Sequence, residues 1–322
     1  MNKRILIALI LFAAAGWQQA HAQQDYPARP IRILIPFPAG GASDTIGRTI
    51  GDALSAQLGQ PVVIDNRPGA AGRLATDLLT KSEPDGYTLL VGGVGPLSIS
   101  PALYSKLPYD AERDFLPISR AGEILNVMVV NAGGARDVRQ FIESAKKRAG
   151  ELRYGSSGPG QLDHLAGVFF ERLAGVRMTH VPYKGGGPAL VDLVAGDIHL
   201  MFATYVTAAP HISSGRLRML AVTTPRRQPL LGKVPPVSET LPGYGVSNWN
   251  GIFVPARTPS PIADRLLAEV NKALLSPELK KRQNNVGIEP EGSPSRADFV
   301  RFLREDRAHW AKIIRESGIR VE

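Results

Sequence analysis

The chain has 322 residues, no cysteine, 43% hydrophobic and 21% charged residues, and a formal net charge of +9. Without a thiol there are no disulfides, no thiolate catalysis, no cysteine-ligated metal and no acylated N-terminal cysteine; the balanced composition excludes a disordered or low-complexity chain. The basic excess is dispersed, with short clusters at Lys146-Lys147-Arg148 and Lys280-Lys281-Arg282 but no concentrated stripe or module of the kind nucleic acid binding requires.

Met1-Asn2-Lys3-Arg4 is positive, Ile5 to Gly16 is apolar, and Ala20-His21-Ala22 has the small-x-small form of a signal-peptidase site. The apolar run is well short of the ~20 residues that cross a hydrocarbon core. Residues 1–22 are therefore expected to be a leader cleaved after Ala22, with the mature protein in the periplasm. Removing Lys3 and Arg4 leaves 36 basic against 29 acidic residues, a field that favours the approach of anionic ligands.

Beyond the leader, short β-branched runs alternate with helical patterns. Ile31 to Ile35 reads as a strand, and Ile46, Ile50, Ala53, Leu54 and Leu58 trace a helix stopped by Gly59. Val62 to Ile64 is a second strand, Leu74, Leu78 and Leu79 mark a helix, and Tyr87 to Val91 is a third strand. This order implies a largely parallel sheet covered by helices. The pattern resumes with strands at Asn126–Val130, Leu152–Tyr154, Met178–Val181, Ile198–Phe202 and Leu217–Val222. Helices are expected at Val138–Ala149, along Leu162, Leu165, Ala166, Phe169 and Leu173 up to Gly175, and at Ala189–Val194. A last strand, Gly251–Val254, precedes helices at Ile262–Leu275 and Arg296–Ser317, the latter opened by a capping-box-like Ser295-Arg296-Ala297-Asp298. The fold class is α/β, as two lobes with a cleft between them.

Two loops offer chemistry. Pro36-Phe37-Pro38-Ala39-Gly40-Gly41-Ala42-Ser43-Asp44 joins a strand to a helix, where free amides and the helix dipole accept a carboxylate or phosphate. The same pattern serves a tight turn with Ser43 or Asp44 as an N-cap. Gly155-Ser156-Ser157-Gly158-Pro159-Gly160 repeats the device in the second half. One such loop in each lobe suggests opposed anion-binding jaws. Tyr183-Lys184-Gly185-Gly186-Gly187-Pro188 has the make-up to hold a phosphate, but reads more readily as a flexible strand-to-helix turn. Phosphate-loop, dinucleotide and Gly-x-Ser-x-Gly patterns are absent. His164, His180, His199, His211 and His309 show no metal-ligand spacing, so neither a metal nor another cofactor is expected. A serine hydrolase using Ser156 or Ser157 beside His164 is the rival from another class, and the pattern marks no orienting acid for it.

The chain resembles the substrate-binding proteins of tripartite tricarboxylate transporters, the Bug family. The resemblance rests on Phe37-Pro38-Ala39-Gly40-Gly41-Ala42-Ser43-Asp44, Val63-Ile64-Asp65-Asn66-Arg67-Pro68-Gly69-Ala70-Ala71-Gly72 and Pro84-Asp85-Gly86-Tyr87-Thr88-Leu89. It continues through Tyr154-Gly155-Ser156-Ser157-Gly158, His164-Leu165-Ala166-Gly167, His180-Val181-Pro182-Tyr183-Lys184-Gly185, Ile198-His199-Leu200-Met201-Phe202 and Leu220-Ala221-Val222-Thr223. It covers nearly all of the chain from Tyr26 to Ile314.

The resemblance implies a type II periplasmic binding fold, with residues 23–124 plus 224–322 as lobe 1 and 125–223 as lobe 2. It implies a monomeric, non-enzymatic receptor that passes a small organic carboxylate to membrane transporter subunits; a sensor presenting the same ligand to a signalling receptor would share this chemistry. Carried over by position, the ligand-binding residues are Phe37, Ala39, Gly40, Gly41, Asp44, Ser156, Ser157, Gly158, Gly160, His164 and Thr204. Asp44 is expected to cap and orient rather than attract an anion. Many relatives carry an aspartate after Met201-Phe202 where this chain has Ala203-Thr204, which implies a di-, hydroxy- or aromatic acid without an amino group.

Overall fold

Strand and helix alternate along the chain because short β-branched runs, most of them buried, are separated by amphipathic segments, several of which end in glycine. The computed structural model describes residues 26–319, so the expected leader and its cleavage site lie outside the described residues. In chain order β1 (Ile31–Ile35) leads to α1 (Ala42–Leu58), β2 (Val62–Asn66), α2 (Arg73–Thr80), β3 (Thr88–Gly93), the short α3 (Ser100–Leu103) and β4 (Phe115–Ile124). The second group is β5 (Asn126–Asn131), α4 (Val138–Lys147), β6 (Arg153–Ser156), α5 (Leu162–Ala174), β7 (Thr179–Pro182), α6 (Gly186–Ala195), β8 (Leu200–Thr204), α7 (Tyr205–Ser213) and β9 (Leu217–Val222). The chain finishes with β10 (Trp249–Pro255), α8 (Ser260–Leu275), α9 (Pro277–Asn284), β11 (Ile288–Glu289) and α10 (Arg296–Ser317). Gly59 adopts φ +69° and its amide returns to Ser55 O, the left-handed cap that ends α1.

The strands form two sheets, ordered β11-β4-β10-β3-β1-β2 and β7-β6-β8-β5-β9. Each is mixed. In the first, β1, β2, β3 and β4 run one way and β10 and β11 the other. In the second, only β5 opposes the rest. The reversals have a topological cause. The chain crosses between lobes into β5 and back into β10, entering each sheet from the end where its parallel strands finish, so the entering strand must run backwards.

The two crossings lie side by side. Leu125 alone separates β4 from β5, while residues 223–248 return from β9 to β10. Ile124 N donates to Asn248 O at 2.9 Å, Thr223 N to Asn126 O at 3.0 Å and Val246 N to Thr223 O at 2.9 Å. Beneath them sits Glu123, accepting from Asn248 N (2.6 Å), Ser247 Oγ (2.5 Å) and Arg120 (3.2 Å).

One face of the first sheet buries Ile33, Ile50, Leu54, Val91 and Leu266 against α1 and α8. Its other face joins a core that continues into the second lobe through Phe169, Tyr244 and Trp310, with the 22-residue α10 packed against α5. No helix of the described residues is long and apolar enough to cross a membrane.

Candidate ligand-binding site

In both lobes the parallel strands end at the same cleft, and six strand-to-helix connections, three from each lobe, contribute to its lining. Phe37 comes from the β1–α1 loop, Ala71 from β2–α2, and Val94 and Gly95 from the turn after β3. Opposite them stand Ser157, Pro159, Gly160 and Gln161 before α5 with Leu162 and Asp163 in its first turn, Gly186 and Gly187 opening α6, and Thr204 and Thr207 at the start of α7. The carboxyl ends of parallel strands are the usual ligand position in open α/β sheets. The cavity is about 290 Å³, and its apolar walls are Phe37, Ile99, Leu103, Tyr104, Leu162, Met201 and Phe202.

The electrostatics follow from that layout. Among the described residues lining the cavity there is no lysine, arginine or histidine, and Asp163 is the only carboxylate. Positive potential is supplied by helix N-termini instead, each equivalent to about half an elementary charge. Within the first turn of a helix the amides lack intrahelical acceptors, which leaves Gly186 N and Gly187 N available to a ligand oxygen. Preferring a flexible turn to an anion-holding loop at residues 183–188 undervalued these amides. The cue was Gly185-Gly186-Gly187 ahead of Pro188, since proline is at ease in a first helical turn and glycine exposes its neighbouring amides.

The expected residues divide into groups. Phe37, Ser157, Gly160 and Thr204 line the cavity. Ala39, Gly40 and Gly41 are exposed at its edge, on the same loop as Phe37. Asp44 stands behind that loop, 3% exposed, and accepts from Gly40 N (2.9 Å), Arg48 Nε (2.8 Å) and Asn66 Nδ2 (2.9 Å). Burial pushes its carboxyl up, but the hydrogen bonds from Arg48, Gly40 and Asn66 outweigh this and leave it below the ordinary range. Asp44 therefore shapes the loop with its charge already balanced, and it occupies the Gly40 amide.

Ser156, Gly158 and His164 form the support of the second loop. His164 Nδ1 accepts from Gly160 N at 3.0 Å, and its ring stacks on His180 at 4.0 Å between centroids. Burial and then the neighbouring His180 lower the His164 pKa to about 4, while burial alone lowers that of His180, so both rings are neutral at neutral pH. Ser156 Oγ lies 2.7 Å from His180 Nε2, the spacing of a nucleophile and its base. Its side chain is nevertheless fully buried, and no substrate carbonyl can reach it. Ser157 Oγ donates to Asp163 Oδ1 at 3.0 Å, while Asp163 also accepts from Ser157 N (2.6 Å) and His164 N (2.9 Å). The two serine hydroxyls thus brace the loop, and Asp163 already accepts three hydrogen bonds from it and from the start of α5.

Comparison with known proteins places this geometry. A family model described as the tripartite tricarboxylate transporter family receptor matches residues 46–319. Protein BugT of Bordetella pertussis is 33% identical over 328 residues, covering 100% of each chain. Among solved structures, a Rhodopseudomonas palustris protein determined with adipate, Rpa4515, superimposes with TM-score 0.81 at 34% identity, covering 92% of this chain and 99% of its own. MatC from the same organism, with bound malate, gives TM-score 0.76 at 30% identity, covering 90% and 100%. The two-lobed architecture is the type II periplasmic binding protein fold of these neighbours.

Proposed function

The chain belongs to the tripartite tricarboxylate transporter receptor family, and from that premise we propose that it captures a small organic carboxylate in the periplasm and presents it, as a monomer in its closed form, to the membrane subunits of a transporter. The leader at residues 1–22 is read as the export signal for that compartment. One observation carries the reading: six strand-to-helix connections converge on a cavity that contains no cationic side chain among the described residues. Such a site holds an anion through amides and helix dipoles, each charge-assisted bond contributing a net ~1.5–3 kcal/mol. Adipate in one structural relative and malate in another support a chain of two carboxylates or a hydroxy acid as the class. Asp163, the only carboxylate among the described lining residues, already accepts three hydrogen bonds, so no free carboxylate stands in the lining to pair with an ammonium group, which supports a ligand without an amino group.

Calorimetric titration of refolded mature protein with organic acids, amino acids and sugars tests this. The expected result is saturable binding of an acid, with the matching amino acid weaker. Binding of sugars alone, or of an amino acid more tightly than its non-amino counterpart, would overturn it.

A further inference from the structure

At the floor of the cavity three polar side chains meet where the lobes join. Asn126 opens β5 on one crossing, Asn248 precedes β10 on the other, and Thr204 lies directly across from Asn126 in the β5–β8 register. All three line the cavity, and Asn126 is only 4% exposed.

Their hydrogen bonds determine what each can still offer. Asn248 Nδ2 donates to Asn126 Oδ1 at 3.1 Å. Asn126 Nδ2 and Asn248 Oδ1 take part in no other hydrogen bond among the described residues, so the first is free to donate and the second to accept. Reversing both carboxamides together keeps the bond and only exchanges which asparagine donates. Thr207 Oγ1 donates to Thr204 O at 2.9 Å, so Thr204 must be the donor in its 2.8 Å contact with Thr207 Oγ1. Thr204 Oγ1 therefore faces the cavity with lone pairs alone. The floor thus presents one wholly uncommitted donor group, Asn126 Nδ2, and two acceptors, Asn248 Oδ1 and Thr204 Oγ1, beside the partly used amide of Asn248.

A carboxylate has only acceptors and would set its charge against two unpaired oxygens here. An ammonium has only donors and would leave the Asn126 amide unmet. A hydroxyl both donates and accepts. Resting on the carboxylate-receptor reading, we infer that the Asn126–Asn248–Thr204 cluster is a hydroxyl-reading subsite, and that the preferred ligand is a hydroxycarboxylate whose hydroxyl accepts from one asparagine and donates to the other or to Thr204. Because the two asparagines stand on different crossings, the same contact ties ligand recognition to the joint between the lobes.

The test compares acids that differ only by a hydroxyl: malate with succinate, 2-hydroxyglutarate with glutarate, and 4-hydroxybenzoate with benzoate. These are titrated against refolded mature protein and against the variants Asn126→Ala, Asn248→Ala and Thr204→Val. Wild-type protein is expected to prefer the hydroxylated member of the bound pair by about tenfold or more, as two hydrogen bonds of ordinary net strength imply. The preference should shrink towards unity in each asparagine variant. A cleft merely loosened by mutation would weaken both members alike and keep the ratio, which would overturn the assignment of these residues. Equal affinity within the bound pairs of the wild type would overturn the hydroxyl subsite while leaving the carboxylate reading standing. Failure of every acid to bind would overturn both.

Discussion

Single side chains decide this site largely by where their protons are already committed. Asp44, Asp163 and His164 all sit close to the two glycine-rich loops, yet each is satisfied by the backbone it holds. The type and place of these residues could be read from the sequence, but their direction could not: a serine in Gly-Ser-Ser-Gly looks like a ligand donor until Ser157 is seen giving its proton to Asp163. Replacing Asp163 by alanine is expected to free Ser157, cost roughly 1–3 kcal/mol of stability and weaken acid binding, measured by urea unfolding and calorimetry. Glu123 carries a pH signature. Burial pushes its carboxyl up to about 7 despite Arg120, Ser247 and Asn248. A carboxyl with a raised folded pKa contributes stability that is complete below its ordinary value and lost as pH rises to the folded one. The wild type should therefore lose stability between about pH 4.5 and pH 7, and Glu123→Gln should raise the melting temperature more at about pH 8 than at about pH 5. His164 acts in the opposite direction. With its pKa lowered to about 4, its contribution is present at neutral pH and lost on acidification from the ordinary value towards that point. His164→Gln should flatten the acid side of the stability profile.

Secondary elements were legible where periodicity was strong, and obscure where tertiary pairing overrides local signals. Leu217–Val222 and Arg296–Ser317 occur where the pattern puts them, and Ser295 Oγ accepts from Asp298 N as the capping pattern requires. The strand β4 gave no clear pattern because Phe115 to Ile124 contains Pro117, Arg120 and Gly122. Its pairing with β10 passes through two register shifts, and β11 pairs with it only at Glu123 and Ile124, so Pro117 meets no demand for an amide on that side. The helix α7 was hidden by its internal Pro210, and α9 by its low hydrophobicity. The β6–α5 junction shows how closely these elements are fitted. A Cβ at Gly167 would stand 2.7 Å from Tyr154 Cδ2, and that ring leans against His180 and stacks on His164 beneath the second loop. Gly167→Ala is expected to cost about 1–3 kcal/mol through overpacking and to weaken acid binding by shifting the loop, whereas a substitution at exposed Val63 should do neither.

For the molecule as a whole, the fold places six strand-to-helix connections on one cleft, and the chain passes between the lobes at two adjacent crossings while α10 packs against α5, so closure on a ligand would turn the lobes about that joint. Ligand binding should shorten the radius of gyration in small-angle scattering and, at about one hundred times Kd, add ~2.7 kcal/mol to stability. The class of fold and its two-part plan could be read from the alternation of elements; the reversal of β5 and β10 could not, because strand direction is set by which sheet the chain is entering. That reversal has a consequence for how the protein is assembled during synthesis. The second lobe's strands are contiguous from Asn126 to Val222, so it can complete itself as soon as that stretch emerges. The first lobe, begun earlier, remains in two pieces: β10 lies between β3 and β4 and pairs with both. Until residue 255 has been made, β4 has no connection to the strands that preceded it. The part of the chain translated first is therefore the last to acquire its native sheet, and a growing chain stays without a finished first lobe for most of its translation.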